Sequence, residues 1–188
     1  MKFKLFSVRI ELPFLVVAVM TSVLLIDKSG KFAMCFLSAL IHECGHLFSM
    51  YCFRTKPALI KLRLFDIVIN AQLHKNTTCE LLITLSGPAF NLIFACLFFS
   101  FSKPLFLINI FCGIFNLLPI ESFDGGHALE LMLSKRLSAQ TVNRIIKALT
   151  FVFLLPILFV GISVLLYSRY NYSLLLISLY LVAVLFLK

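Results

Sequence analysis

Acidic residues are scarce in this chain, with 8 Asp and Glu against 17 Lys and Arg and a net charge of +9. Charged residues of both signs reach only 13% of the sequence, whereas hydrophobic residues reach 61%. A soluble domain is roughly 45–50% apolar, so water is not the main solvent and an ordinary soluble globular domain is excluded. No Gly/Ser/Pro-rich linker, low-complexity tract or internal repeat interrupts the 188 residues. A single domain over residues 1–188 is therefore expected. No cysteines stand in C-x-x-C spacing. Cys35, Cys44, Cys52, Cys79, Cys96 and Cys112 lie mostly inside apolar runs, which speaks against the disulfide framework of a small secreted domain. They read as small buried hydrophobes.

What the chain has in abundance is long apolar segments. A bilayer core takes about 20 mostly apolar residues per helix. Six segments approach this: Val8–Ile26, Phe32–Phe53, Cys79–Phe101, Pro104–Ile120, Ile145–Tyr167 and Tyr172–Leu187. Lys2, Lys4 and Arg9 precede the first as in a signal peptide, but the run is long and lacks a small-x-small cleavage pattern, so it reads as a retained membrane helix. Lys and Arg cluster at the ends of these runs, a placement that suits topology setting and anionic lipid head groups rather than nucleic acid. With the N-terminus inside, only Lys28, Lys31, Lys103 and Arg169 fall outside. The positive-inside rule then puts both termini in the cytoplasm.

Between the second and third segments the pattern changes. Ile60, Leu62 and Leu64 alternate with Lys61 and Arg63, and Ile67, Ile69, Ala71 and Leu73 alternate with Val68, Asn70 and Gln72. Period two in a β-branched run predicts strands, in a hairpin on the cytoplasmic side or sheltered among helices. Residues Gly126 to Leu137 carry Leu129, Met132 and Leu133 beside Glu130, Lys135 and Arg136, the pattern of a short interfacial helix. The expected fold is an all-α polytopic membrane protein of about six helices, with a short β element between helices 2 and 3.

The second segment contains His42-Glu43-Cys44-Gly45-His46, an H-E-x-x-H pattern within a helix. Histidines four apart share a helix face and reach one metal ion, while Glu43 is placed for a metal-activated water. Ionisable groups in a membrane helix cost roughly 2.5–3.5 kcal/mol each for Asp, Lys or Arg, and persist mainly where they line a cavity or act. Catalytic zinc usually takes three protein ligands and keeps one position for water. Candidates for the third are His74, Glu80, Glu121, Asp124, His127 and Glu130. Sequence distance does not choose among them. Local pattern favours Asp124: Pro119 ends a helix, and Gly125 and Gly126 permit a sharp turn and close backbone approach, so that Asp124 can point back towards the histidines.

H-E-x-x-H at His42, Glu43 and His46, followed by Asn116, Pro119, Asp124 and Gly125 in N-x-x-P-x-x-x-x-D-G, resembles the site-2 protease family of intramembrane zinc metalloproteases. Gly87, Pro88 and Asn91 resemble its G-P-x-x-N segment. The six-helix layout is similar to the sporulation-factor branch. The resemblance implies one zinc ion per chain, held by His42, His46 and Asp124, with Glu43 as the base that takes a proton from water and passes it to the leaving amine. It implies an integral protein of a bacterial cell membrane that cleaves membrane-spanning or membrane-tethered substrates. A regulatory membrane partner is expected, since no PDZ-like insert interrupts the motifs and no regulatory domain is expected after Lys188. Glu121 departs from the family pattern, in which proline is frequent. Asn91 and Asn116 are candidates to bind substrate backbone or oxyanion, or else to join helices. Two other readings stay open: a membrane metallopeptidase of another class with Glu130 as third ligand, and a non-catalytic zinc carrier or scaffold.

Overall fold

The computed structural model describes residues 2–5, 8–11, 13–55, 57–62, 67–71 and 76–168. The chain divides into two units, residues 1–114 and 115–188. The first holds a four-stranded sheet of β1 (Lys2–Leu5), β2 (Val8–Glu11), β3 (Pro57–Leu62) and β4 (Ile67–Ala71), in that spatial order. β1 and β2 pair antiparallel, β2 and β3 parallel, and β3 and β4 antiparallel. The hairpin expected after the second apolar segment is therefore present, and its partner strands come from the N-terminus. The expectation of helix from Val8 onward is corrected: Val8–Glu11 is a strand, and α1 runs only from Phe14 to Ile26, with Pro13 at its N-cap. The reason is in the chain. Charged and apolar residues alternate at Lys2–Leu5 and again at Val8–Glu11, a strand period, and a proline restricts the residue before it to extended backbone.

Three helices follow in this unit: α2 (Lys31–Cys52), α3 (Thr77–Phe98) and α4 (Lys103–Asn116). The parallel pairing of β2 with β3 places both strands at the same end of the α1–α2 pair. Asp27 holds the start of α2, its Oδ2 accepting from the Phe32 N–H at 2.7 Å and its Oδ1 from the Ser29 N–H at 2.9 Å. Its carboxyl lies below the ordinary carboxylate range, chiefly through the Ser29 hydroxyl and then the Phe32 N–H. The start of α3 is capped by Asn76, whose side chain accepts from the Thr78 N–H at 2.9 Å.

Most buried residues on these helices are small or polar, and most of the large apolar ones face outward. On α2 the inner face is Ser38, Ile41, His42, Gly45, Ser49 and Met50, with helical spacing, while Leu37, Leu40, Phe48 and Tyr51 are exposed. On α3 it is Ile83, Thr84, Gly87, Pro88, Asn91 and Ala95, and on α4 Asn109 and Gly113. Lipid is as apolar as leucine, so membrane helices associate through close packing and internal hydrogen bonds. Gly45 shows how tight the α2–α3 approach is: a Cβ there would lie 2.6 Å from the Ser86 carbonyl oxygen. The cysteines follow the outward pattern rather than the core expected for them, with Cys35, Cys44, Cys52 and Cys96 exposed.

In the second unit the chain leaves α4 at Asn116, turns through residues 117–123, and enters α5 (Asp124–Leu133) and then α6 (Ala139–Ser168). The expected fourth segment thus loses its last turn, because Pro119 cannot supply an N–H and drives its predecessor out of helical backbone. Ile120 and Leu154 form a buried core with Leu118, Phe123, Phe153 and Ile157 packed around it. Thr150 of α6 ties the turn down: its Oγ1 accepts from the Glu121 N–H at 2.9 Å and donates to the Ile146 carbonyl at 2.8 Å.

Among the described residues α2, α3 and residues 139–164 of α6 are long and apolar enough to cross a membrane, while the apolar parts of α1 and α4 are shorter. At about 1.5 Å per residue, the 13 residues of α1 fall short of a bilayer core. The sixth expected segment, Tyr172–Leu187, lies outside the described residues. Among the described residues the architecture is helical, six helices with one small sheet.

Candidate metal centre

The residues of the H-E-x-x-H pattern lie on the middle turns of α2. His42 is buried, and its Nδ1 lies 2.7 Å from the Oδ1 of Asn91. The orientation of the Asn91 amide is decided by its other end, where Nδ2 lies 3.0 Å from the Ser38 carbonyl oxygen, a group that only accepts. Asn91 Oδ1 is therefore an acceptor, and His42 Nδ1 carries the proton. His46 has the same arrangement, with Nδ1 donating to the Ile83 carbonyl at 2.9 Å. With both Nδ1 atoms protonated, the neutral rings keep their lone pairs on Nε2. Those two Nε2 atoms face each other at 3.1 Å.

In their neutral form the two rings present adjacent Nε2 lone pairs, a donor pair suited to a cation. Gly87 on α3 keeps the room. A Cβ at that position would press directly on His46 Nε2 and lie 2.8 Å from His42 Nε2. The donor set also fits zinc, which binds neutral imidazole nitrogen, and a second hydrogen bond that fixes the ligand tautomer is the usual companion of such a ligand. Glu43, the next residue along α2, is half-buried.

In the second unit, Phe123 is the N-cap of α5 and Asp124 its first residue. A carboxylate in the first turn is favoured by the helix dipole. Gly125 and Gly126 are required for space. A Cβ on Gly125 would collide with the Leu117 carbonyl and lie 2.6 Å from the Leu118 oxygen, and one on Gly126 would collide with the Ile120 carbonyl. The close approach expected of these glycines is present, whereas neither has a positive φ, Gly30 being the glycine that does. Asn116 is the half-buried last residue of α4. Glu130 is exposed, and its carboxylate lies 3.6 Å from His127 Nδ1. His74 lies outside the described residues.

In the first unit the two ligand nitrogens stand together on His42 and His46, and in the second Asp124 is the carboxylate that opens α5. Asn91, considered from the sequence as a substrate contact, has its amide engaged by His42, Ser38 and Asn109 instead. Ser38 and Asn109 were missed. The signal for Ser38 was its place four residues before His42, on the same face. For Asn109 it was an amide within the apolar run 104–115.

Comparison with known proteins finds likeness in both sequence and fold. The family model described as Peptidase family M50 matches residues 98–158, which include the turn with Asn116, Pro119 and Asp124. The site-2 protease from Methanocaldococcus jannaschii has a similar structure, with a TM-score of 0.70, 26% identity, and coverage of 96% of this chain and 91% of that one. Over this segment and in its fold the chain is similar to site-2 proteases. No protein with a curated description matches it by sequence. This likeness and the long apolar helices support an integral membrane protein.

Proposed function

We propose that this chain is an intramembrane zinc metalloendopeptidase in which His42, His46 and Asp124 hold one zinc ion and Glu43 is the catalytic base. The observation that carries the reading is the facing pair of Nε2 atoms at 3.1 Å, each on a ring whose Nδ1 is already committed to an oxygen acceptor. Zinc bound there would supply a Lewis acid for the scissile carbonyl and for water. Glu43 takes the proton of the attacking water and returns it to the leaving amine. Asn116, at the end of α4, donates to the substrate backbone or to the developing oxyanion. Gly87 excludes any side chain from the space next to the histidines.

The substrate is a membrane-spanning or membrane-tethered protein. A substrate helix hides its own amides, so it unwinds before cleavage. β4 is an edge strand of the sheet, able to take an extended segment as an added strand. The clustering of Lys and Arg supports cytoplasmic termini, and the motif resemblance supports a bacterial cell membrane and a membrane partner that governs access of substrate.

The test is cleavage of tagged single-span proteins by the purified chain in detergent, wild type against Glu43→Gln, with zinc content measured on both. Cleavage by wild type only, with zinc in both, supports the reading. Zinc in both and cleavage by neither, across substrates supplied with candidate partners, supports a zinc carrier or scaffold instead.

A further inference from the structure

Asn109 lies on α4, outside the motifs that mark the family, yet its side chain is fully buried. Its Nδ2 donates to the Leu105 carbonyl at 2.9 Å, which fixes the orientation of its amide, and its Oδ1 accepts from Asn91 Nδ2 at 3.0 Å. Asn91 Oδ1 in turn accepts from His42 Nδ1 at 2.7 Å. The three bonds run in one direction. His42 donates to Asn91, Asn91 donates to Asn109, and Asn109 donates to a backbone carbonyl that only accepts. Each amide uses its oxygen on one side and its N–H on the other, an arrangement in which successive bonds polarise one another. Ser38 flanks the chain, its hydroxyl donating to Asn109 Oδ1 at 3.2 Å and lying 3.2 Å from Asn91 Nδ2.

An isolated asparagine beside a histidine does not choose a tautomer. Turned over, it presents N–H to the ring and accepts a proton from elsewhere, and the ring then carries its proton on Nε2. Asn91 is kept from turning by acceptors on its N–H side, the Ser38 carbonyl and Asn109 Oδ1. We propose that Asn109 is a positioning residue for the metal centre, acting with the Ser38 carbonyl to hold Asn91 and so fix the tautomer of His42 with Nε2 unprotonated, the form that binds a cation. The inference rests on the reading of His42 as a metal ligand and adds a cause for its state. It also makes α4 a support of the site and not only a neighbour of α3.

The experiment uses the full chain in detergent, titrated with Co²⁺ and followed by its visible absorption. It compares wild type, Asn109→Ala, Asn109→Leu, Asn91→Leu and the double variant Asn91→Leu/Asn109→Leu. Asn109→Leu leaves no cavity where Asn109→Ala leaves one, so an effect shared by both belongs to the lost amide. Outer-shell partners of ligating histidines are worth about 10–100-fold in metal affinity, and each Asn109 variant is expected to lose about 10-fold on that scale. The double variant is expected to bind no more weakly than Asn91→Leu alone, because Asn109 acts through Asn91. Wild-type affinity in both Asn109 variants, or losses that multiply in the double variant, overturn the proposal. Should wild type take up no Co²⁺, the metal reading itself fails. ¹⁵N spectra of labelled histidine in the metal-free chain then decide the proposal alone: it stands if His42 shifts towards the Nε2–H tautomer in the Asn109 variants, and falls if the tautomer is unchanged.

Discussion

Gly87 and His42 face each other across the α2–α3 interface so closely that a single methyl group on Gly87 would come within 2.8 Å of the imidazole Nε2. The three atoms nearest that methyl would all belong to the two histidine rings. Gly87→Ala is therefore expected to displace the rings rather than part the helices. A misplacement of about 1 Å costs on the order of 100-fold in rate, so cleavage should fall at least that far and zinc content with it, while the thermal melting of the chain changes little. Melting that collapses together with zinc content would instead make Gly87 a packing residue.

Asp124 and Glu130 both lie on α5, more than a turn and a half apart, and one of them is expected to be the third ligand. Asp124→Ala should release zinc on dialysis at a concentration where wild type retains it. Glu130→Gln should retain it, since Glu130 is exposed and directed to His127. The reverse result would move the ligand down the helix and the chain to another class of metallopeptidase.

Thr150 carries a turn it does not belong to. Thr150→Val keeps the shape and removes the acceptor for the Glu121 N–H. Leaving such a group unpaired costs about 1–3 kcal/mol. Thermal unfolding in detergent should show that loss, and cleavage should fall as well because the Glu121 turn leads into Asp124. Thr150→Ser, which keeps the hydroxyl, should restore both.

Asp27 offers a test of the membrane-edge electrostatics. Its carboxyl is held below the ordinary carboxylate range by the Ser29 hydroxyl and the Phe32 N–H. A depressed carboxyl stabilises the folded chain above its unfolded pKa of about 3.9, and that contribution disappears as pH falls through the lower folded value. Hydrogen exchange at Phe32 is therefore expected to be slow, relative to the free amide, at neutral pH and to lose protection on acidification. In Asp27→Asn the protection at neutral pH should already be reduced and show no such dependence.

The H-E-x-x-H pattern was readable because it depends on helix geometry alone: residues four apart share a face whatever surrounds them. The turn from Asn116 to Gly126 was readable because proline and paired glycine act locally. The hairpin at β3 and β4 showed in its alternation, but β1 and β2 did not, since Lys2, Lys4 and Arg9 serve equally as the basic flank of a membrane segment. The length of α1 was overestimated for the same reason. The relay from Asn109 to His42 was not legible. The two asparagines lie on different helices, so helix periodicity does not relate them, and only packing of α4 against α3 makes them partners. The apolar face of a membrane helix carries the strong pattern outward, towards lipid, and the inner face holds the chemistry in residues that look like exceptions.

The parallel pairing of β2 with β3 has a consequence for how the protein is made. These strands are neighbours in the sheet but are separated in sequence by α1 and α2. Two strands so far apart cannot pair while the intervening chain is still being synthesised, and non-local pairing of this kind is slow. The N-terminal hairpin therefore waits, with one edge open, until the α1–α2 pair is in the bilayer and β3 has emerged. An unpaired edge strand is a template for any extended segment that comes near. Between synthesis and closure of the sheet, β2 is open to the wrong partner, and insertion of the first two helices is the step that ends the exposure.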